Sequence, residues 1–175
     1  GLYRDCGRRV AGGRMIGAIV TVGGLGRIPI APGTWGSIAA LPLAWACHYV
    51  GGSWLLVAVT VLVFLLGLWA TAQHLQGRAE DPSEVVIDEV AGQMIALWPL
   101  SIALTVVGAD PHIWPWPGWV GGFVLFRFFD VVKPPPVSWA DRPGAWGVMM
   151  DDVVAGMLAG GVVLLSAGIS HGWFF

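Results

Sequence analysis

The stretch "GGFVLFRFFDVVKPPP", Gly121 to Pro136, sets Arg127 and Asp130 inside a run that otherwise reads as membrane, then adds Lys133 and a proline run. A charge at the centre of a bilayer is unfavourable by about 2.5–3.5 kcal/mol even on the mildest scale. Either the charges interrupt a span, or they mark its end. The rest of the chain decides. Its 175 residues are 56% hydrophobic and only 11% charged, with a mean hydropathy of +0.73. Soluble domains carry roughly 25% charged residues, so the deficit and the long apolar runs place the chain in the membrane class. A net charge of -2 with Lys133 as the only lysine gives no basic patch for nucleic acid.

Five hydrophobic segments are expected as helices: Trp35–Val50, Ser53–Thr71, Val85–Val107, Gly118–Val132 and Val148–Ile169. A span needs about 20 apolar residues, so the second, third and fifth qualify fully and the first and fourth are short. Arg4, Arg8, Arg9, Arg14 and Arg27 precede the first segment. Arg78 follows the second, and Lys133 and Arg142 follow the fourth. In a five-span alternation all of these fall on one side, which the positive-inside rule makes cytoplasmic. Trp114, Trp116, Trp119 and Trp173 fall near the opposite interface, as an aromatic belt does. The expected architecture is all-α: a compact multi-helix membrane protein with about five hydrophobic helices and a cytoplasmic N-terminus. Residues 1–175 read as one domain, with an Arg-rich arm over 1–22. The segment "GRMIGAIVTVGGLG" is short and glycine-broken and does not read as a cleaved signal peptide. Cys6 and Cys47 lack metal or redox spacing, and no disulfide is expected; Cys47 reads as a small buried residue.

With that topology the polar residues converge. "APGTWGS" (Ala31–Ser37) precedes the first span, and "VVIDEVAGQMIAL" puts Asp88 and Glu89 at the start of the third. Arg127 and Asp130 sit at the end of the fourth, and "VMMDDVVAGMLAGG" puts Asp151 and Asp152 at the start of the fifth. All lie just inside the cytoplasmic leaflet. Arg127 and Asp130 are three apart and can pair. The members of each acidic pair diverge by about 100° around the helix, so one can face the bundle while the other turns aside. Ala91-Gly92 and Ala155-Gly156 follow the acidic pairs within a turn and offer small surfaces for helix packing. Charged residues at span ends often merely snorkel, and helix N-termini favour acids. Two adjacent acidic pairs plus an Arg/Asp/Lys set at one depth exceed what those tendencies explain. The excess of carboxylate suits a hard divalent cation, Mg²⁺ or Ca²⁺. No histidine cluster competes: His48, His112 and His171 fall on the opposite side and His74 stands alone.

Several phosphate chemistries are missing. There is no Cys with an Arg six positions on, no D-x-D-x-[TV] nucleophile, no P-loop and no G-x-S-x-G elbow. The D-G-x-x-A-R motif of CDP-alcohol phosphatidyltransferases is absent too. Metal-assisted attack by water remains, with carboxylates on the ion and Arg or Lys on the phosphoryl oxygens.

"GTWGS", "DEVAGQ", "FRFFDVVKPPPV" and "MMDDVVAG", in this order and spacing, resemble the phosphatidylglycerophosphatase A family over about residues 23–160. The resemblance implies a Mg²⁺-dependent, multi-pass lipid phosphatase of the bacterial inner membrane with its active site facing the cytoplasm. It would hydrolyse phosphatidylglycerophosphate to phosphatidylglycerol and inorganic phosphate. Carried over by position, the acidic motif residues are Asp88, Glu89, Asp130, Asp151 and Asp152. The basic ones are Arg127 and Lys133, and the early turn is Thr34 and Ser37. Asp88, Glu89, Asp151 and Asp152 are the expected metal ligands, and Asp88, Glu89, Asp130 and Asp152 the catalytic carboxylates. Arg127, Lys133, Thr34 and Ser37 are expected on the substrate, and a metal-activated water would attack phosphorus. The rivals are a small ion-coupled transporter, which should carry polar groups through mid-bilayer, and a non-catalytic assembly subunit.

Overall fold

Gly51 and Gly52 decide how the first two apolar segments meet. Gly52 holds φ 63°, ψ -157°, a region essentially reserved for glycine, and Gly51 is also non-helical. The helical run α2 (Pro32–His74) therefore breaks into two arms, 32–50 and 53–74. Both far ends return to the same place: Gly36 lies against Val86, and Gly67 against Ile87. The arms thus form an antiparallel hairpin. Its tip is tied by His48 Nδ1 to Ser101 Oγ at 2.7 Å, and by the Ser53 N–H donating to Thr105 Oγ1 at 3.4 Å.

The protein is seen here as a computed structural model that describes residues 12–76, 83–110, 112 and 115–170. Arg4, Cys6, Arg8, Arg9, Arg78, Trp114, His171 and Trp173 lie outside the described residues. All regular structure among the described residues is helical. Before the hairpin come α1 (12–20) and a 3₁₀ turn, Leu25–Arg27. After it come α3 (Ile87–Ala96), α4 (Trp98–Val106), α5 (Trp116–Val132), the short α6 (Val137–Ala140) and α7 (Ala145–Ser170).

The third segment is one apolar run broken at Leu97, because Pro99 has no N–H to give to the preceding turn. In α3 every residue except Glu89 is buried, which makes it the post around which α2, α5 and α7 pack. Going along α5, Gly118 meets Leu100, Gly122 meets Leu97 and Phe126 meets Gly92, so α5 runs antiparallel to α3–α4. Along α7, Gly156 meets Gly92 and Gly160 meets Pro99, so α7 runs parallel to it. The five passes alternate in direction, as the basic residues imply.

Three helical stretches, Pro32–His74, Ile87–Val106 and Ala145–Ser170, are long and apolar enough to cross a membrane. The outer faces agree: Trp54 is 81% exposed, Val131 70% and Leu62 64%. An apolar surface of that extent marks an interaction with membrane or partner. Trp116 is exposed, as the expected belt requires, but Trp119 is not. It packs beside Leu56, Met94 and Leu97 in the core, because α5 turns that face toward α3. Cys47 is a buried free thiol in the same cluster.

Candidate active site

The crossing of α3 and α7 builds the site. A Cβ at Gly156 would collide with the Gly92 carbonyl oxygen, and one at Gly92 would lie 2.6 Å from the Asp152 carbonyl oxygen. Only glycine lets the two backbones come this close. Asp88 and Asp152 each precede a crossing glycine by four residues, about one helical turn, so the crossing sets them side by side. Asp88, Glu89 and Asp152 each bring a carboxylate oxygen within 4.8 Å of the other two. Asp88 and Asp152 are buried and Glu89 half-buried. Asp88 Oδ1 accepts the Glu89 N–H at 3.1 Å, one of the free donors of the first helical turn, and this holds the carboxylate in place. Asp151 Oδ1 accepts the Asp152 N–H in the same way at 3.0 Å.

Asp151 turns away from that trio. Its Oδ2 takes a hydrogen bond from Lys133 Nζ at 2.7 Å, and the same ammonium donates to Asp141 Oδ2 at 2.8 Å. Lys133 ends α5 in the left-handed region (φ 48°), just before the prolines. That turn carries its side chain inward rather than out to the surface where sequence position puts it. Burial disfavours its charge, but the bonds to Asp141 and Asp151 outweigh burial and hold its pKa above the ordinary lysine range. Arg127 Nη1 pairs with Asp130 Oδ2 at 2.6 Å, both side chains largely buried. Asp130 also lies close enough to Glu89 and Asp152 to interact with them.

All of these groups except Arg127 line a polar cavity of about 210 Å³, and Arg127 reaches it only through Asp130. Six carboxylates face it (Asp88, Glu89, Asp130, Asp141, Asp151, Asp152), with Lys133 as its one lining cation among the described residues. Glu89 Oε2 is buried without a hydrogen-bond partner. An acidic surplus, three converging oxygens and one unpaired buried carboxylate oxygen fit a hard cation, and the donor set is all oxygen.

The early turn is used differently from the expectation. Its residues are not a loop before the helix but the first turns of α2, opened by Pro32. The Ser37 hydroxyl donates to its own helix, at the Gly33 carbonyl (2.9 Å), and neither Thr34 nor Ser37 lines the cavity. The glycines matter more. A Cβ at Gly33 would strike Glu89 Oε1 and lie 3.0 Å from Arg127 Nη1, and one at Gly36 would lie 2.9 Å from the Val86 carbonyl oxygen. The motif is a smooth face that lets Glu89 and Arg127 close in. His74, read as solitary, bonds Glu84 at 3.1 Å, and Glu84 also pairs with Arg27. Three residues were not singled out from the sequence, although Gln93 closes the "DEVAGQ" motif. Asp141 sits in the loop between Asp130 and Asp151, outside every quoted motif. Thr71 ends the featureless second segment. Gln93 carries a fully buried amide without partners one turn below Glu89.

Comparison with known proteins matches the geometry. The family model for phosphatidylglycerophosphatase A fits residues 18–167, a span that holds every residue of the cavity. The chain is 32% identical over 154 residues to the phosphatidylglycerophosphatase A of Escherichia coli, covering 86% of this chain and 80% of the relative. It is 35% identical over 140 residues to the Haemophilus influenzae protein of the same name, covering 78% of each. It is also 37% identical over 139 residues to a Bacteroides thetaiotaomicron protein described provisionally as a phosphatidylinositol-3-phosphatase, covering 77% of this chain and 82% of that one. No solved structure gives a significant match. With the family's span enclosing both the α3–α7 crossing and the carboxylates it brings together, this chain belongs to the phosphatidylglycerophosphatase A family.

Proposed function

We propose that the chain is a membrane-embedded lipid phosphatase that hydrolyses phosphatidylglycerophosphate to phosphatidylglycerol and inorganic phosphate. The observation that carries the reading is one polar cavity, at one end of an apolar bundle, where Asp88, Glu89 and Asp152 converge beside the Arg127–Asp130 pair and Lys133. The family and two of the relatives are named for this activity. Asp88, Glu89 and Asp152 would hold Mg²⁺. When bound, the ion would polarise the phosphoryl group and supply nucleophilic water at neutral pH. Arg127, steadied by Asp130, and Lys133, steadied by Asp141 and Asp151, would face the phosphoryl oxygens and offset the charge that builds there. One of the cavity's carboxylates takes the proton of the attacking water.

Arg27, Lys133 and Arg142 gather at the cavity's end of the bundle, through the Arg27–Glu84 pair and the loop that holds Asp141. By the positive-inside rule this end faces the cytoplasm, and in a bacterium the membrane is the inner one. A phosphorylated head group at that leaflet lies at the depth of the cavity. The helical stretches that form the middle of the bundle carry no Asp, Glu, Lys or Arg, so a charge-lined transport path finds no support.

The test is phosphate release by the purified chain in mixed micelles. It is supplied with phosphatidylglycerophosphate or phosphatidylinositol 3-phosphate, with Mg²⁺ or with chelator. Release from phosphatidylglycerophosphate that stops on chelation and returns with Mg²⁺ is expected. Release from the inositol lipid alone would move the substrate, and release from neither in Mg²⁺ would overturn the phosphatase reading.

A further inference from the structure

Five hydroxyls, four on the described helices and Thr21 just past the end of α1, close on the carbonyl four residues back. They are Thr21 on Gly17, Ser37 on Gly33, Thr60 on Leu56, Thr105 on Ser101 and Ser166 on Val162, at 2.7–2.9 Å. This is the default for Ser or Thr in an apolar helix, because the backbone is the nearest acceptor. Thr71 departs from it. Its residue is fully buried, its Oγ1 has no hydrogen-bond partner, and it lines the acidic cavity opposite Lys133 and the carboxylates of α3 and α7. A buried hydroxyl without a partner is destabilising, so a position that keeps one calls for a ligand.

The chemistry of the cavity indicates which ligand. Its wall is rich in acceptors and poor in donors: six carboxylates, against Lys133, already bonded to Asp141 and Asp151, and the exposed Ser83 hydroxyl at its rim. A phosphate monoester brings several acceptor oxygens and needs donors. Thr71 is the one polar side chain that α2 contributes to the wall, and its hydroxyl can donate. We infer that Thr71 is a substrate-contacting residue whose hydroxyl donates to a non-bridging oxygen of the phosphoryl group, and to the same oxygen of the phosphate released. This deepens the phosphatase reading and rests on it for the identity of the lipid, but an anion site at Thr71 can be tested without turnover.

The experiment uses the full chain in micelles with Thr71→Val, which keeps the shape and removes the hydroxyl, and Thr71→Ser, which restores it. Thr71→Ala serves as a second deletion if the valine variant does not fold. Two readouts are taken: kcat and KM for phosphatidylglycerophosphate, and the rise in melting temperature caused by inorganic phosphate in Mg²⁺. Loss of a hydrogen bond to a charged group predicts a fall in kcat/KM of about ten- to a hundredfold for Thr71→Val, with most activity kept in Thr71→Ser. The deletion variant should also need about tenfold more phosphate for the wild-type rise in melting temperature. Equal responses to phosphate in wild type and deletion variant, whether a rise or none, would overturn the assignment. A wild type that turns over no lipid but still shows the phosphate difference would sink the phosphatase reading and leave Thr71 in an anion site.

Discussion

Replacing Gly92 by alanine should separate the activity of this protein from its stability. The added Cβ would stand 2.6 Å from the Asp152 carbonyl oxygen and 2.7 Å from Phe126 Cε2. Neither neighbour can yield cheaply, since one is helix backbone and Phe126 is wholly buried. Ordinary contact lies at about 3.5 Å, so α7 must withdraw by roughly 1 Å. Overpacking of this kind costs about 1–3 kcal/mol, and alanine's better helix propensity returns about 1 kcal/mol. The net loss of stability is then only about 0–2 kcal/mol. The displaced atom, however, belongs to Asp152, which shares the cluster with Asp88 and Glu89. A misplacement of about 1 Å can lower turnover by about a hundredfold. Phosphate release and thermal melting, measured together, should show a large fall in rate with a small fall in melting temperature. Gly161→Ala on α7, the facing helix, meets nothing within 4 Å and is the control for alanine itself. A wild-type rate in Gly92→Ala, or an equal loss in Gly161→Ala, would refute the claim that this crossing sets the site.

The two members of the α7 pair should behave differently. Asp152→Asn should abolish both phosphate release and the thermal stabilisation by Mg²⁺, whereas Asp151→Asn should keep the Mg²⁺ effect and raise KM through a loosened Lys133; identical responses to Mg²⁺ would place Asp151 on the ion. Arg127→Lys should lower kcat/KM about tenfold or more, because an ammonium cannot reproduce the planar guanidinium that, in the proposed mechanism, would span Asp130 and a phosphoryl oxygen. Circular dichroism and melting on that variant distinguish lost chemistry from lost packing. Gly52→Ala, far from the cavity, should destabilise by about 1–3 kcal/mol through its φ of 63° alone, since the new Cβ meets nothing closer than 3.5 Å. An unchanged melting temperature would mean the hairpin tip tolerates another backbone.

The placement of the passes was legible in the sequence because hydropathy and the Lys/Arg pattern are one-dimensional signals. Apolar runs require burial or lipid, and basic residues mark one side whatever the helices touch. The same holds for the pairing of Arg127 with Asp130, which three-residue spacing dictates, and for the common depth of the acidic motifs. The family motifs also named most of the residues around the cavity. What they could not state is which carboxylate faces which neighbour. The rotation of each helix about its axis is settled by packing, and here that means glycine contacts between segments some sixty residues apart, such as Gly92 with Gly156 and Gly33 with Glu89. Those contacts place Asp152 with Asp88 and Glu89, and turn Asp151 to Lys133. The same contacts make "GTWGS" a packing face rather than a row of hydroxyl donors. They also bury Trp119 away from the belt and bring Thr71 and Asp141 to the cavity. Hydropathy and charge pattern alone specify a bundle of alternating apolar helices with the basic residues and the acidic motifs at one end. How those charges are shared out follows from the fold, because it depends on how closely backbones can approach.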